Sequence, residues 1–291
     1  MAGYSLLVTR KTPMIKVTPD ELKLMAQLIY EYCGVVVGPD KSYLIESRLS
    51  PLAEQQGCKS YREFYNLARS ERDGQIRVQI IDKITTGETQ FFRDKQLFEA
   101  LRFKIIPDII DLRMTGKVVD RNLSVWSAAC SSGQEPYSLA ITFLETIPDI
   151  ARWNLKILAS DISDEAFRKA SLGRYTRLEV SRGLTEAQLA KYFTPKDQFW
   201  QVNDRIRAMV SFRKINLLEP FSGVGRFDMI FCRNVAIYFN RETKIKLFDS
   251  LANVLNRQGH FFLGSSESLV DVSTRFKMKN HLRCIYYELI S

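Results

Sequence analysis

The 291-residue chain is long enough for one large domain or two modest ones, and its 45% hydrophobic residues can build a core. No apolar stretch reaches the ~18–20 residues of a membrane span, and the start of the chain has no apolar run of signal-peptide length. The net charge is +9, and residues 168–214 alone hold 11 Lys and Arg against 4 Asp and Glu. This basic segment predicts an acidic partner, either nucleic acid, a membrane surface or an acidic protein, unless it is simply a solvated face.

The five cysteines are scattered and form no C-x-x-C pair, which indicates free thiols in a reducing cytoplasm. The chain has two histidines and no cysteine pair, so we predict no metal site. We therefore expect a cytoplasmic protein whose function uses no bound metal ion.

Four helical stripes of apolar residues lie between residues 18 and 84. Capping boxes at Thr18-Pro-Asp-Glu21 and Ser60-Tyr-Arg-Glu63 begin two of these helices. Nothing in this region has a catalytic pattern, and its apolar stripes are typical of a core. We predict an N-terminal helical domain over residues 14–86.

The run Ile84-Thr-Thr-Gly-Glu-Thr-Gln-Phe-Phe-Arg93 follows, and it is rich in hydrogen-bonding and aromatic residues for a linker. Helical spacing resumes over residues 94–113, and Thr115-Gly116 marks the end of that helix. We interpret residues 87–120 as a linker segment followed by a helix.

An α/β domain is predicted over residues 121–291. Its first unit is an apolar strand at 123–126, a loop of small residues ending at Gly133, and a helix with Pro136 in its first turn. This layout is typical of a nucleotide-type ligand site, although an ordinary strand–helix turn has the same pattern. There is no G-x-G-x-x-G and no P-loop, and Glu135 favours a ligand with a cation or hydroxyls over a pyrophosphate.

The next strand, at 155–161, ends in Asp161. Doubly wound folds hold a ribose diol at this position, although a helix-capping aspartate is equally consistent with the sequence. Residues 173–214 interrupt the strand–helix rhythm, and their alternating patterns, including the one at 207–212, predict an insertion of short antiparallel strands. The main sheet then resumes with strands at 227–232, 259–264 and 284–289.

Several polar residues follow strands at one predicted edge of the sheet, where open α/β sheets bind ligands. They comprise no catalytic triad, no metal cluster and no thiol beside a histidine. A reaction that needs no strong acid or base would fit them. Methyl transfer from S-adenosylmethionine is such a reaction, because the sulfonium is already activated and alignment does most of the work. A carboxylate acceptor, ionised at neutral pH, is the least demanding.

Five motifs occur together: Thr86-Gly-Glu-Thr-Gln-Phe-Phe-Arg93, Trp126-Ser-Ala-Ala-Cys-Ser-Ser-Gly-Gln-Glu-Pro-Tyr-Ser138, Ala159-Ser-Asp-Ile162, Asn216-Leu217 and Phe227-Asp-Met-Ile-Phe-Cys-Arg-Asn-Val-Ala-Ile-Tyr-Phe239. In this combination the chain resembles the chemotaxis receptor methyltransferases, the CheR family, from about residue 18 to 289. The resemblance implies a class I S-adenosylmethionine-dependent methyltransferase with a doubly wound, mostly parallel sheet. It also implies an N-terminal helical domain and a small antiparallel β-subdomain inserted at about 173–214.

The implied activity is methylation of glutamate side chains on chemoreceptors to γ-methyl esters, for chemotaxis adaptation, with S-adenosylhomocysteine as product. The implied cofactor-binding residues are Thr89, Arg93, Glu135, Asp161, Asn216, Leu217, Arg233 and Asn234. Among them, Glu135 is implied to meet the cofactor ammonium and Asp161 the ribose hydroxyls. Arg93 and Tyr238 are implied to be catalytic at the acceptor carboxylate, although Tyr238 is also consistent with core packing.

The chain departs from family members that tether to a pentapeptide at the receptor C-terminus. Those members carry a glycine-containing extra loop in the small subdomain, and no glycine occurs here between Gly183 and Gly223. We therefore expect the pentapeptide-independent type, with Lys41 and Arg48 as candidates for a receptor-facing basic surface. We expect a monomer that binds the cytoplasmic domain of chemoreceptors, without nucleic-acid binding or membrane insertion.

Two other functions stay open on sequence alone. The basic insertion favours a nucleic-acid methyltransferase, although base amino-methylation would favour an Asp/Asn-Pro-Pro-aromatic motif and the chain has no Pro-Pro pair. A non-catalytic sensor of S-adenosylmethionine would need the same cofactor residues. The combination of Arg93, Glu135 and Asp161 favours the enzyme.

Overall fold

The computed structural model describes residues 15–115 and 119–290. The chain divides into two units by its internal contacts. The first unit consists of the residues up to Tyr32 together with Val36–Ile84. The second unit consists of Cys33–Val35 together with the residues from Thr85 onward. The predicted start of the helical domain at residue 14 and the predicted helix terminator Gly116 lie outside the described residues. Within the described ranges, no helix is both long enough and apolar enough to cross a bilayer.

The first unit is helical, as predicted. Its helices are α1 (Pro19–Cys33), α2 (Ser42–Gln55), α3 (Tyr61–Ser70) and α4 (Gln75–Ile84), with a short 3-10 turn at Pro39–Lys41. The capping box at α1 is formed, because Glu21 accepts from the Thr18 N–H and the Thr18 hydroxyl accepts from the Glu21 N–H. The apolar stripes meet in the interior, where Met25, Ile45 and Phe64 are fully buried.

The two basic residues proposed for a receptor-facing surface differ in this unit. Arg48 is half-buried, and its Nη1 donates to the carbonyl of Ile84 at 2.9 Å, which satisfies the last residue of α4. Lys41 is exposed at the end of the 3-10 turn. Arg48 therefore has a structural role within the helical unit, and Lys41 is the freer of the two candidates.

The second unit is built on a seven-stranded sheet. Its strands are β1 (Asn122–Ala128), β2 (Asn154–Asp161), β6 (Val210–Lys214), β7 (Phe227–Cys232), β8 (Leu255–Phe262), β9 (Phe276–His281) and β10 (Cys284–Leu289). The spatial order is β6-β2-β1-β7-β8-β10-β9, and the first five strands run parallel. After β1, the chain places β2 and then β6 on one side of β1, and it then places β7 on the other side of β1. The gap between the ends of β1 and β7 is therefore the switch point where such sheets bind ligands.

Helices cover both faces of this sheet. They are α5 (Lys95–Ala100), which continues through a π-helical segment (Leu101–Ile105) into α6 (Ile106–Met114), with α7 (Gln134–Thr146), α8 (Asp164–Leu172) and α12 (Arg241–Val254). Successive residues of β1 point to opposite faces. Val125 packs in the cluster that contains Phe143 of α7, and Trp126 packs in the cluster that contains Phe248 of α12.

The insertion between α8 and β6 carries a small sheet of β3 (Arg174–Tyr175), β4 (Phe193–Lys196) and β5 (Phe199–Val202), in the order β3-β5-β4, all antiparallel. Three short helices complete it, α9 (Arg177–Ser181), α10 (Glu186–Tyr192) and α11 (Asp204–Arg207).

The prediction of another antiparallel strand at 207–212 is wrong. Residues 210–214 form β6, which pairs in parallel with β2 at the edge of the large sheet. Alternation of apolar residues is the same in both kinds of strand, so it does not identify the partner. Strand β9, which pairs with β10, was not predicted.

Candidate active site

The loop between β1 and α7 is held in an unusual backbone conformation. Ala129 and Ser131 have φ of +58° and +52°, a region that non-glycine residues adopt mainly where surrounding structure enforces it. Gly133 has φ of +93°, and a Cβ on it would lie 2.9 Å from the Cβ of Ala170. Only glycine fits there, and the loop as a whole carries only small side chains at the switch point.

Asp161, the last residue of β2, fixes this loop from the neighbouring strand. Its Oδ2 accepts from the Ser131 N–H at 2.7 Å, and its Oδ1 accepts from the Ser163 N–H at 3.0 Å. The residue is buried, with 8% of its surface exposed. Its carboxylate therefore has a defined orientation at the carboxyl end of the sheet.

Glu135 stands in the first turn of α7 and points back toward the strand ends. Its Oε1 accepts from the Ser127 hydroxyl at 2.7 Å, and its Oε2 accepts from Nη1 of Arg233 at 2.7 Å. Ser127 belongs to β1 and Arg233 directly follows β7. One carboxylate thus joins both sides of the switch point.

Arg233 is the most buried charge of the site, with 2% of its side chain exposed. Its Nη2 forms an ion pair with Asp94 and donates to the carbonyl of Arg93 at 3.0 Å. Burial lowers the pKa of Arg233, but the charges of Glu135 and Asp94 offset this, and the net pKa is raised. The guanidinium stays charged. Its buried Nε has no hydrogen-bond partner among the residues that the structure describes.

The segment 87–94 lies against the β1–α7 loop and the start of α7. The Ser131 hydroxyl donates to the carbonyl of Gly87 at 2.9 Å, and the Phe92 N–H donates to the Ser138 hydroxyl at 3.0 Å. The ring of Phe91 is fully buried and meets Tyr175 edge-on, with centroids 5.0 Å apart. The aromatic pair in this segment therefore anchors it to the second unit.

Two predicted site residues lie in that segment. Arg93 is half-buried, and its Nη1 donates to the carbonyl of Glu88 at 3.0 Å, so the guanidinium folds over its own segment. Thr89, which lies between Glu88 and Arg93 in the sequence, is half-buried. Asp94, which follows Arg93, has φ of +66° and directly precedes α5. These residues are held near the strand ends by the backbone anchors just described.

The segment after β7 carries Asn234 and Tyr238. Asn234 has φ of +57°, and its N–H donates to Oε2 of Glu267 at 2.6 Å. Tyr238 ends a short 3-10 helix (Ala236–Tyr238), and its half-buried ring packs against the cluster on the α12 side of the sheet. Both residues therefore lie in the segment that follows the end of β7.

Asn216 and Leu217 follow β6, after the intervening Ile215, at the same edge of the sheet. The Asn216 Oδ1 accepts from the Leu218 N–H at 3.1 Å, which forms a tight turn. Leu217 is 9% exposed and packs in the cluster that contains Trp126. The pair therefore places one polar and one apolar side chain after the end of β6, which is the neighbour of β2 in the sheet.

Two family models match this chain. The model described as "CheR methyltransferase, SAM binding domain" matches residues 87–284, and "CheR methyltransferase, all-alpha domain" matches residues 20–85. The chain belongs to the CheR methyltransferase family. It is therefore an S-adenosylmethionine-dependent methyltransferase of chemotaxis, as the sequence predicted.

Relatives with chemotaxis methyltransferase names agree with this assignment. Chemotaxis protein methyltransferase 1 of Pseudomonas aeruginosa is 38% identical to this chain, over an aligned region that covers 89% of this chain and 93% of the relative. Chemotaxis protein methyltransferase Cher2 of Pseudomonas putida is 39% identical over 84% and 89% of the two chains. Chemotaxis protein methyltransferase of Vibrio parahaemolyticus is 35% identical over 94% and 98%.

The residues of this CheR-family site fit the cofactor. Two carboxylates, Glu135 and Asp161, suit a ligand with an ammonium group and ribose hydroxyls. The loop of small residues leaves room for backbone approach. The buried Nε of Arg233 is a donor that a ligand carboxylate would satisfy.

The two cysteines at the site are unsuited to act as nucleophiles. Burial raises the pKa of Cys130 and of Cys232 well above the usual thiol value, and nearby carboxylates add to the effect. Both therefore stay protonated at neutral pH, and a protonated thiol is a poor nucleophile. Across the described ranges no group of three or more His, Cys, Asp or Glu residues forms a metal site.

Sequence reasoning missed Asp94 and Glu267. Asp94 was overlooked because its ion pair with Arg233 spans more than a hundred residues of sequence. The signal for it was a carboxylate directly after the predicted Arg93. Glu267 contacts only backbone N–H groups in this site, and such a contact leaves no pattern in the sequence.

Proposed function

We propose that this enzyme transfers the methyl group of S-adenosylmethionine to glutamate side chains of chemoreceptors, forming γ-methyl esters. The observation that supports it most is the ion-pair network of Arg233, Glu135 and Asp94 at the switch point. It builds a rigid, charged cofactor cradle without a general base or a thiolate. An acceptor that is already anionic at neutral pH suits such a site.

The reaction then needs no proton transfer. A carboxylate oxygen of the acceptor attacks the methyl carbon, a C–O bond forms, and the C–S bond breaks. Its electron pair stays on sulfur, which converts the sulfonium to a neutral thioether. The protein contributes alignment of oxygen, carbon and sulfur, and removal of water from the reacting groups.

Each predicted site residue takes a role consistent with its place. Glu135 meets the cofactor ammonium and Asp161 the ribose hydroxyls. Asn216 and Leu217 bracket the adenine, while Arg233 and Asn234 close the pocket beside Thr89. Arg93 pairs with an anionic group and, with Tyr238, faces the acceptor carboxylate.

The partner in this proposal is the cytoplasmic domain of a chemoreceptor, and the enzyme acts on it in the cytoplasm as a monomer. The basic insertion supports a protein partner over nucleic acid, because several of its charges already have acidic partners. Arg177 pairs with Glu186 at 3.0 Å, and Arg207 pairs with Asp204 at 3.1 Å. The domain division proposed is a helical domain at 14–86, a linker and helix at 87–120, and a methyltransferase domain at 121–291.

A binding experiment separates the residues proposed to bind the cofactor from those proposed to face the acceptor. Asp161→Asn should raise the Kd for S-adenosylhomocysteine about ten- to a hundred-fold. An amide has only one acceptor oxygen, so it cannot accept hydrogen bonds from both backbone N–H groups and also from the ribose hydroxyls of the ligand. Tyr238→Phe should leave that Kd within about two-fold but lower the methylation rate. Asp197→Asn, at an exposed position outside the site, is the control. An unchanged Kd in Asp161→Asn would overturn the assigned cofactor site.

A further inference from the structure

One carboxylate outside the predicted site holds the backbone of two strand-end loops together. Oε2 of Glu267 accepts from the N–H of Asn234 at 2.6 Å and from the N–H of Gly264 at 2.8 Å. Oε1 accepts from the N–H of Ile237 at 3.2 Å. Glu267 follows β8, and both Asn234 and Ile237 follow β7, so the contacts join adjacent strands at the switch-point edge.

The backbone held in this way is one that needs support. Asn234 has φ of +57°, a conformation that costs free energy without compensating contacts. The Ile237 N–H lies in the short 3-10 helix that ends at Tyr238, and the first N–H groups of a helix have no partner within it. A charged acceptor satisfies these donors more strongly than a neutral one.

The surroundings leave little freedom for another arrangement. A Cβ at Gly264 would lie 2.5 Å from Nδ2 of Asn234 and 2.9 Å from Oε2 of Glu267. The Glu267 N–H also donates to the Gly264 carbonyl at 2.9 Å, which closes a tight turn. The turn after β8 and the segment after β7 are therefore packed against each other around this one carboxylate.

We propose that Glu267 is a positioning residue for methyl transfer, acting through the backbone that carries Asn234 and Tyr238. This rests on the proposed function, in which those two residues face the cofactor and the acceptor. Arg233 is held separately by Glu135 and Asp94. Loss of Glu267 should therefore misplace the acceptor side of the site more than the cofactor side.

The test compares Glu267→Gln with wild type and with Glu242→Gln, an exposed glutamate in the first turn of α12. Glutamine keeps the size, but its NH₂ group must face a backbone N–H in either orientation. We expect kcat for receptor methylation to fall about ten- to a hundred-fold, as a displacement near 1 Å would cause. The Kd for S-adenosylhomocysteine should rise by less than kcat falls, up to about ten-fold, because Asn234 is displaced while Arg233 keeps its own partners.

Hydrogen exchange gives the second readout. The amides of Asn234 and Ile237 should lose protection in Glu267→Gln, while those of β1 keep theirs. A normal kcat in Glu267→Gln would overturn the proposal, as would unchanged protection of the two amides. A lower Tm with normal kcat per folded molecule would assign Glu267 a structural role only.

Failure of the proposed function has a different signature. In that case wild type and Glu242→Gln would also transfer no methyl group to receptor carboxylates. Hydrogen exchange at Asn234 and Ile237 would still decide whether Glu267 holds the loop. The positioning role in catalysis would then be rejected together with the reaction.

Discussion

Arg233 and Glu135 form a buried ion pair, with 2.7 Å between Nη1 and Oε2, that joins the end of β7 to the first turn of α7. The same guanidinium binds Asp94 and the carbonyl of Arg93. Three segments that lie up to 139 residues apart in the sequence therefore share one side chain. This relationship makes the 87–94 segment part of the site and not merely a linker.

Arg233→Lys should damage both stability and cofactor binding. Lysine has no planar fork, so it cannot serve Glu135 and Asp94 together, and one buried carboxylate loses its partner. We expect a loss of about 2–4 kcal/mol in the free energy of unfolding, measured by urea titration.

The matched control is Arg177→Lys, because Arg177 pairs with Glu186 at 3.0 Å on the surface, where an ion pair contributes about 0–1 kcal/mol. Equal losses in the two variants would contradict the central role of Arg233.

Asp228→Ala should destabilise the fold without changing the chemistry. Asp228 lies near the start of β7, away from the site, and its Oδ1 accepts from Arg113 at 2.6 Å. Its Oδ2 accepts from the Ser124 N–H at 2.8 Å. Removing it leaves Arg113 half-buried without this partner, so we expect a loss of about 3 kcal/mol in urea titration.

The activity of folded Asp228→Ala should equal that of wild type at low temperature, and exposed Asp249→Ala serves as control. A large fall in kcat under conditions where Asp228→Ala is fully folded would contradict this prediction. It would show that the end of β7 far from the site also affects catalysis.

His260 should make the protein less stable in mild acid. Burial lowers the pKa of His260 below its ordinary value, with Glu288, Asp108 and Lys279 nearby as smaller influences. The unfolded chain then binds more protons, so stability falls as the pH drops below about 6.5, the unfolded value. We expect His260→Phe, measured by Tm from pH 7.5 to 5, to lose less stability than wild type.

His281→Phe, on the neighbouring β9, is the control for the general acid sensitivity of the fold. Parallel Tm curves for wild type and His260→Phe would show that His260 does not contribute.

The small subdomain should bind receptor tail peptides weakly or not at all. Strands β4 and β5 are joined by two residues, so the subdomain has no extra loop there. Calorimetry with C-terminal receptor peptides should detect no micromolar binding, while S-adenosylhomocysteine binds the same sample. A micromolar Kd for a tail peptide would show that the insertion tethers without that loop.

Local patterns predicted those parts of the fold that local chemistry determines. The strand, small-residue loop and Pro136 helix start were evident because each depends on neighbouring residues. The partner of β6 was not, because the same alternation of Val210 and Phe212 suits an edge strand of either sheet. Pairing is a tertiary choice that single-strand periodicity does not contain.

The site was predictable by residue type and less so by contact. Asp161 and Arg233 lie at strand ends and Glu135 lies in the first turn of the helix after β1, as expected of ligand-binding residues in an open sheet. The bond from Arg233 to Asp94 and the three N–H groups on Glu267 arise only when distant loops meet. Side chains that support other site residues therefore remained invisible until the fold was known.

Labelled methyl transfer to chemoreceptors is the most direct test of the central claim. The purified enzyme would be mixed with labelled S-adenosylmethionine and chemoreceptor-containing membranes, and the product treated with base. A carboxyl methyl ester predicts label released as methanol, and its loss in Arg93→Ala and Asp161→Ala. Cofactor binding without transfer, or base-stable label on RNA, would contradict glutamate methylation.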